Sequence, residues 1–98
     1  IPSVMQHMFE SLVDRLFGGK PIQFMSVSCS LSEGVIADEL SLLQDRHSEV
    51  DIGSYPYFRK GVLGVTLVVR GVDMDLIAKA INDISEMIHS LGAEPVLE

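Results

Sequence analysis

The chain has 98 residues, 47% of them apolar and 21% charged, and its fourteen acidic against seven basic side chains leave a formal charge of −7. That length holds a single domain burying a little over ~60% of its unfolded surface, and no apolar run approaches the ~18 residues that a membrane helix needs. The acidic excess repels phosphate backbones and so speaks against nucleic acid as a partner, while the single Cys29 excludes both a disulfide framework and a thiolate metal cage.

Pro2 suits the first turn of a helix, and Val4, Met5, Met8, Phe9, Leu12, Val13 and Leu16 recur at three- and four-residue spacing until Gly18-Gly19. An amphipathic leading helix is therefore expected over 1–19. From Ile22 to Leu31 the period changes to two, with Met25, Val27, Cys29 and Leu31 on one face and Ser26, Ser28 and Ser30 on the other, which predicts a strand with one buried face. Ser32 is placed to cap a second helix running to about His47, whose inner stripe is Ile36, Leu40 and Leu43, with Ala37 small enough to sit close to a sheet.

Val50, Ile52, Tyr55 and Tyr57 predict a second strand, broken by a Gly and a Pro, and Gly64 to Arg70 a third in which Val65, Leu67 and Val69 face one way. Arg59-Lys60-Gly61 lies between them as a hairpin turn. Asp73 is an N-cap for the last helix, where Ile77, Ile81, Ile84, Ile88 and Leu91 repeat at four and three, and Gly92 ends it in a left-handed conformation. Glu94 to Leu97 is left as a short strand, at an edge or at the very start of its pairing because of Pro95.

The order is α, β, α, β, β, α, β. Without the leading helix it is the ferredoxin-like βαββαβ pattern, an α+β antiparallel sheet with two helices on one face, over 20–98. The leading helix needs a surface of its own, on the sheet edge, on a twin or on a neighbouring domain. The opening on Ile1 and the closing Leu97-Glu98 read as a piece excised from a longer protein with vector-derived terminal residues. With one cysteine and no basic region leading into an apolar stretch, the expected compartment is the cytoplasm.

Chemistry is sparse. His7, His47 and His89 fall in three different elements, so no metal site is expected and all three are read as solvated surface residues. Cys29 alternates into the apolar face of a strand as a small hydrophobe, and Asp73 with Asp75 is a helix start rather than a carboxylate pair. Gly61-Val62-Leu63-Gly64 has the GxxG spacing of a nucleic-acid module but lies between strands instead of helices. Arg59, Lys60 and Arg70 form the one basic cluster, either a charged hairpin tip that keeps an edge strand from aggregating or an anion site beside two tyrosines.

VDIGSYPYFRKGVLGVTLVVRG, followed by a D...L..A helix and LGAEPV, resembles the C-terminal part of the competence/damage-inducible (CinA-type) family, whose main domain is a molybdopterin-binding fold of the MoaB/Mog kind. PSVMQHMFESL is similar to the helix leading out of that main domain, and Glu33-Gly34-Val35-Ile36-Ala37-Asp38-Glu39-Leu40 to the family's EG.IA..L helix. Gly53-Ser54-Tyr55-Pro56 also resembles the GSYP of the molybdopterin-binding-like domain of eukaryotic FAD synthetases.

The resemblance implies a small accessory domain without catalytic residues or a cofactor of its own. Its partner would be a MoaB/Mog-like domain on the N-terminal side, or a second copy in a homo-oligomer. Relatives hydrolyse ADP-ribose or FAD at a pyrophosphate, with the metal and phosphate ligands, a divalent cation included, in that main domain. Gly53, Ser54, Tyr55, Pro56 and Arg59 are then the candidate ligand or interdomain contacts, since a basic residue and aromatic rings suit a dinucleotide. An ACT-like small-molecule sensor, sharing only the βαββαβ layout, is the alternative. An acylphosphatase is set aside, because Ser32-Glu33-Gly34 after the first strand is acidic and has no Arg.

Overall fold

The computed structural model describes residues 21–98, and the leading helix expected over 1–19 lies outside them. The elements in order are β1 (Gln23–Cys29), α1 (Glu33–Arg46), β2 (Asp51–Arg59), β3 (Val62–Gly71), α2 (Met74–Ser90) and β4 (Val96–Leu97). The strands form one sheet in the order β2-β3-β1-β4, every neighbouring pair antiparallel, so this is an α+β fold with β2 and β4 at the edges.

Both helices cover the same sheet face. Alternation places Val27 and Cys29 of β1 and Val65, Leu67 and Val69 of β3 beneath Ile36 and Leu43 of α1 and Ile77, Ala80, Ile81, Ile84, Met87 and Ile88 of α2. Each fully buried Val, Leu or Ile there contributes about 1.5–3 kcal/mol relative to exposure. Ala37 faces water instead, because α1 meets the sheet through Ile36, Leu40 and Leu43 on the turn to its side.

The caps follow the sequence with one exception. Asp73 Oδ1 accepts the Asp75 N–H at 2.9 Å. Gly92, at φ 89°, closes α2 in a Schellman motif, its N–H donating to the His89 carbonyl and that of Ala93 to the Ile88 carbonyl. Leu91 therefore sits on the cap, 37% exposed, rather than in the apolar stripe. Ser32 occupies the N-cap of α1, but its hydroxyl makes no capping bond; the Val35 N–H is bonded to the Ser32 carbonyl instead.

The second strand is unbroken where the sequence suggests an interruption: β2 pairs with β3 from Asp51↔Arg70 to Arg59↔Val62, straight through Gly53 and Pro56. The parity of the edge explains it. The Ile52 N–H points away from β3, to Gln44 Oε1 at 2.9 Å, so Ser54, Pro56 and Phe58 turn their main-chain groups the same way, and Pro56 loses no bond of the ladder. The Gln44 amide also donates to the Val50 carbonyl at 2.8 Å, so one side chain of α1 occupies two outward groups at the start of β2.

Lys60 and Gly61 form a two-residue loop with φ 50° and 79°, the positive pair that a type I′ hairpin requires. The tip extends past the helices, leaving the cross-strand pair Phe58 and Leu63 71% and 52% exposed on the helix side. On the far side, the serine row is less uniform than alternation suggests. Ser28 is only 6% exposed, because Thr66 at 2.9 Å and the Glu98 carboxylate, to which Ser28 donates, close over it.

Gln44→Ala strands a half-buried acceptor and donor, and is expected to destabilise the fold by about 1–3 kcal/mol in urea denaturation. Lys60→Asn relieves a left-handed conformation that a lysine adopts poorly, and should raise stability by about 0.5–1 kcal/mol, seen as a higher melting temperature.

Candidate functional site

The pairing register divides the GSYP segment between two surfaces. Ser54 and Pro56 lie on the helix side, where Ser54 Oγ donates to Glu33 Oε1 at the start of α1 (3.3 Å). Gly53, Tyr55, Tyr57 and Arg59 lie on the opposite, open face. Arg70 of β3 and Phe24 of β1, cross-strand partners, share that face. The five candidate residues thus do not converge on one pocket.

Two tyrosine–arginine pairs organise the open face. Tyr57 lies across its cross-strand partner Gly64, and its hydroxyl reaches the Cys29 carbonyl at 3.3 Å. Glycine is required there: an added Cβ at Gly64 would stand 2.4 Å from the Tyr57 ring and 2.7 Å from the Cys29 carbonyl oxygen. Arg59 covers this ring, with its guanidinium carbon 4.6 Å from the centroid, a cation–π distance.

Tyr55 leans over Gly53, where an added Cβ would meet the ring at 3.2 Å, and its hydroxyl accepts from Arg70 Nη2 at 2.7 Å. Here the guanidinium carbon lies over the ring at 6.0 Å from its centroid, farther than the 4.6 Å of the Arg59–Tyr57 pair. The sequence sets Arg59 and Arg70 beside the two tyrosines in one of its two readings, an anion site, but does not tell which arginine meets which ring. The signal for Tyr57 was Gly64, a glycine inside a strand, which becomes meaningful only once the two are known to face each other.

Charge is divided by face. Arg59 and Arg70 stand on the open face with Lys60 at the turn, three of the five Lys and Arg residues among those described. Among the described residues neither arginine has a carboxylate at ion-pair distance, although Asp51 is directly opposite Arg70; the one close pair is His47 Nε2 with Asp83 Oδ2 at 2.7 Å. That contact ties the end of α1 to α2 and makes His47 a half-buried strut rather than a solvated histidine.

Cys29 is buried under the helices, and among the described residues no three His, Cys, Asp or Glu side chains gather as a metal site. No helix of the described chain is long and apolar enough to cross a membrane.

Gly64→Ala forces the Tyr57 ring off the sheet against a main-chain carbonyl and is expected to cost about 1–3 kcal/mol in denaturant titration. Gly34→Ala, whose added Cβ has nothing within 4 Å, stays within about 1 kcal/mol of the parent, on the stabilising side.

No curated protein matches the chain. A solved structure, the de novo designed protein Foldit4, is similar with a TM-score of 0.60 at 14% identity, over 80% of this chain and 94% of the design, a likeness of fold alone. Residues 21–95 match the family described as FAD synthase, middle domain. That span runs from the entry to β1 to the residue before β4 and contains both tyrosine–arginine pairs, and the chain belongs to the FAD synthase middle-domain family.

Proposed function

We propose that this chain is a non-catalytic accessory domain of a nucleotide-processing protein, and that it packs on, or dimerises, a main domain of the MoaB/Mog-like kind. The observation that carries the reading is the one-sided sheet. Helices cover one face, while the other presents Arg59 and Arg70 on a chain of net charge −7, in a family named for an enzyme that handles a dinucleotide.

Within that reading the domain is a ferredoxin-like one, which the antiparallel strand order β2-β3-β1-β4 supports. The EG.IA..L helix and the GSYP strand support kinship with the CinA-type proteins, whose main domain supplies a divalent metal and the hydrolysis of ADP-ribose or FAD. Gly53, Tyr55 and Arg59 on the open face are ligand or interdomain contacts at the boundary with the main domain, and Ser54 and Pro56 support them from behind. The compartment is the cytoplasm, in keeping with the single cysteine.

The test is made on the full-length protein, with and without residues 21–98, by sedimentation velocity and by steady-state hydrolysis of ADP-ribose and FAD. Loss of the domain is expected to lower the assembly state or to raise KM several-fold, and Tyr55→Ala with Arg59→Ala to reproduce part of the KM effect. Unchanged sedimentation together with unchanged kinetics would sink the reading.

A further inference from the structure

We propose that Arg70, Tyr55 and Phe24 form a ligand site on the open face for a planar heteroaromatic phosphate of the nucleotide class, the phosphate held by the Arg70 guanidinium and the ring stacked on Tyr55. The proposal rests on the reading of this face as the recognition surface and names the chemistry it takes.

The two tyrosine–arginine pairs differ in a way that selects one of them. Arg59 sits over the Tyr57 ring at 4.6 Å and so occupies its outer face, and the inner face lies on Gly64. Half-buried between the two, Tyr57 offers less ring to stack on than the exposed Tyr55. Arg70 is drawn toward the Tyr55 hydroxyl by the 2.7 Å bond and lies over the ring only at 6.0 Å from its centroid, so among the described residues it covers less of that ring than Arg59 covers of Tyr57, and Tyr55 is 47% exposed. Gly53 beneath it lets the ring lie low over the strand.

The guanidinium is fixed but not neutralised. One of its five N–H groups goes to the phenol, and among the described residues no carboxylate pairs with it, Asp51 across the ladder included. The remaining donors form the fork that takes a phosphate through two oxygens. On the other flank stands Phe24, its cross-strand partner, 65% exposed and two strand spacings, about 10 Å, from β2. A cation flanked by two open aromatic rings takes an anion that carries a ring.

Other occupants fit less well. A second copy packed face to face would place Arg59 and Arg70 of one chain near their like-charged twins. A nucleic acid is repelled by the chain's net −7 over its whole length, whereas one nucleotide meets only the local field.

Adenine and flavin nucleotides share this chemistry, and a titration separates them. The ¹⁵N-labelled 98-residue chain is titrated with AMP and with FMN, and with adenosine and inorganic phosphate as partial ligands, by amide chemical shift. Saturable shifts centred on Phe24, Tyr55 and Arg70 are expected with at least one nucleotide, the tighter of the two identifying the ring. Each partial ligand should bind at least about tenfold more weakly, as should the nucleotide to Arg70→Gln and to Tyr55→Leu. Well-dispersed spectra of both variants establish that they fold.

No saturable shift up to about 10 mM of either nucleotide overturns the site. So does nucleotide binding that both variants retain, or inorganic phosphate binding as tightly as the nucleotide. Because the titration uses this chain alone, its failure leaves the sedimentation result on the full-length protein standing, and the two readings fail separately.

Discussion

Val65, Leu67 and Val69 of β3 lie under two helices at the centre of the sheet, and slipping β3 by one residue against either neighbour would turn all three to the opposite face. Burial of those side chains fixes the register of β1 on one side and β2 on the other. Everything on the open face follows from that register: Tyr57 meets Gly64 and no bulkier residue, Arg70 falls between Phe24 and Asp51, and Ser28 finds Thr66. The open face is thus set by the apolar face behind it, although the two share no side chain.

Outside its pairing with β3, β2 is tied to the described residues of the domain through few side-chain hydrogen bonds, to α1 and, from Tyr57, to the Cys29 carbonyl of β1. Gln44 stands in for a neighbouring strand at Val50 and Ile52, and Glu33 meets Ser54 where α1 begins. Beyond those points β2 and β3 continue without helical cover to the Lys60–Gly61 turn, so the tip is held by cross-strand pairing and by the Arg59–Tyr57 stack. Rigidity there comes from turn geometry and ring packing, not from core burial.

Much of the fold was legible in the sequence. The period-two runs at Val27/Cys29 and Val65/Leu67/Val69, the isoleucine stripe of α2, the Asp73 cap and the Gly92 stop each rest on local spacing, which a single stretch of chain displays. What escaped was what depends on two distant stretches at once. Ala37 and Ile36 are adjacent, and only the angle at which α1 meets the sheet decides which is buried.

Ser28 looked like its neighbours because Thr66 and Glu98 lie 38 and 70 residues away. Gln44 carries no sequence signature for its task, since a glutamine in mid-helix is ordinarily solvated. The GSYP stretch depends on distance in the same way: it is contiguous in sequence, but alternation sends its members to opposite faces, and Tyr55 and Tyr57 meet Arg70 and Gly64 on another strand.

The occupied outer rim of β2 has a consequence for how this domain meets others. With Gln44 on the first outward groups and Pro56 supplying no donor further along, an incoming strand finds no continuous row of partners, so lengthening the sheet sideways at β2 is disfavoured. Association at that side is directed to the flat of the sheet or to the hairpin tip. A partner placed there rests on side chains rather than on backbone ladders, and its specificity is open to change one residue at a time.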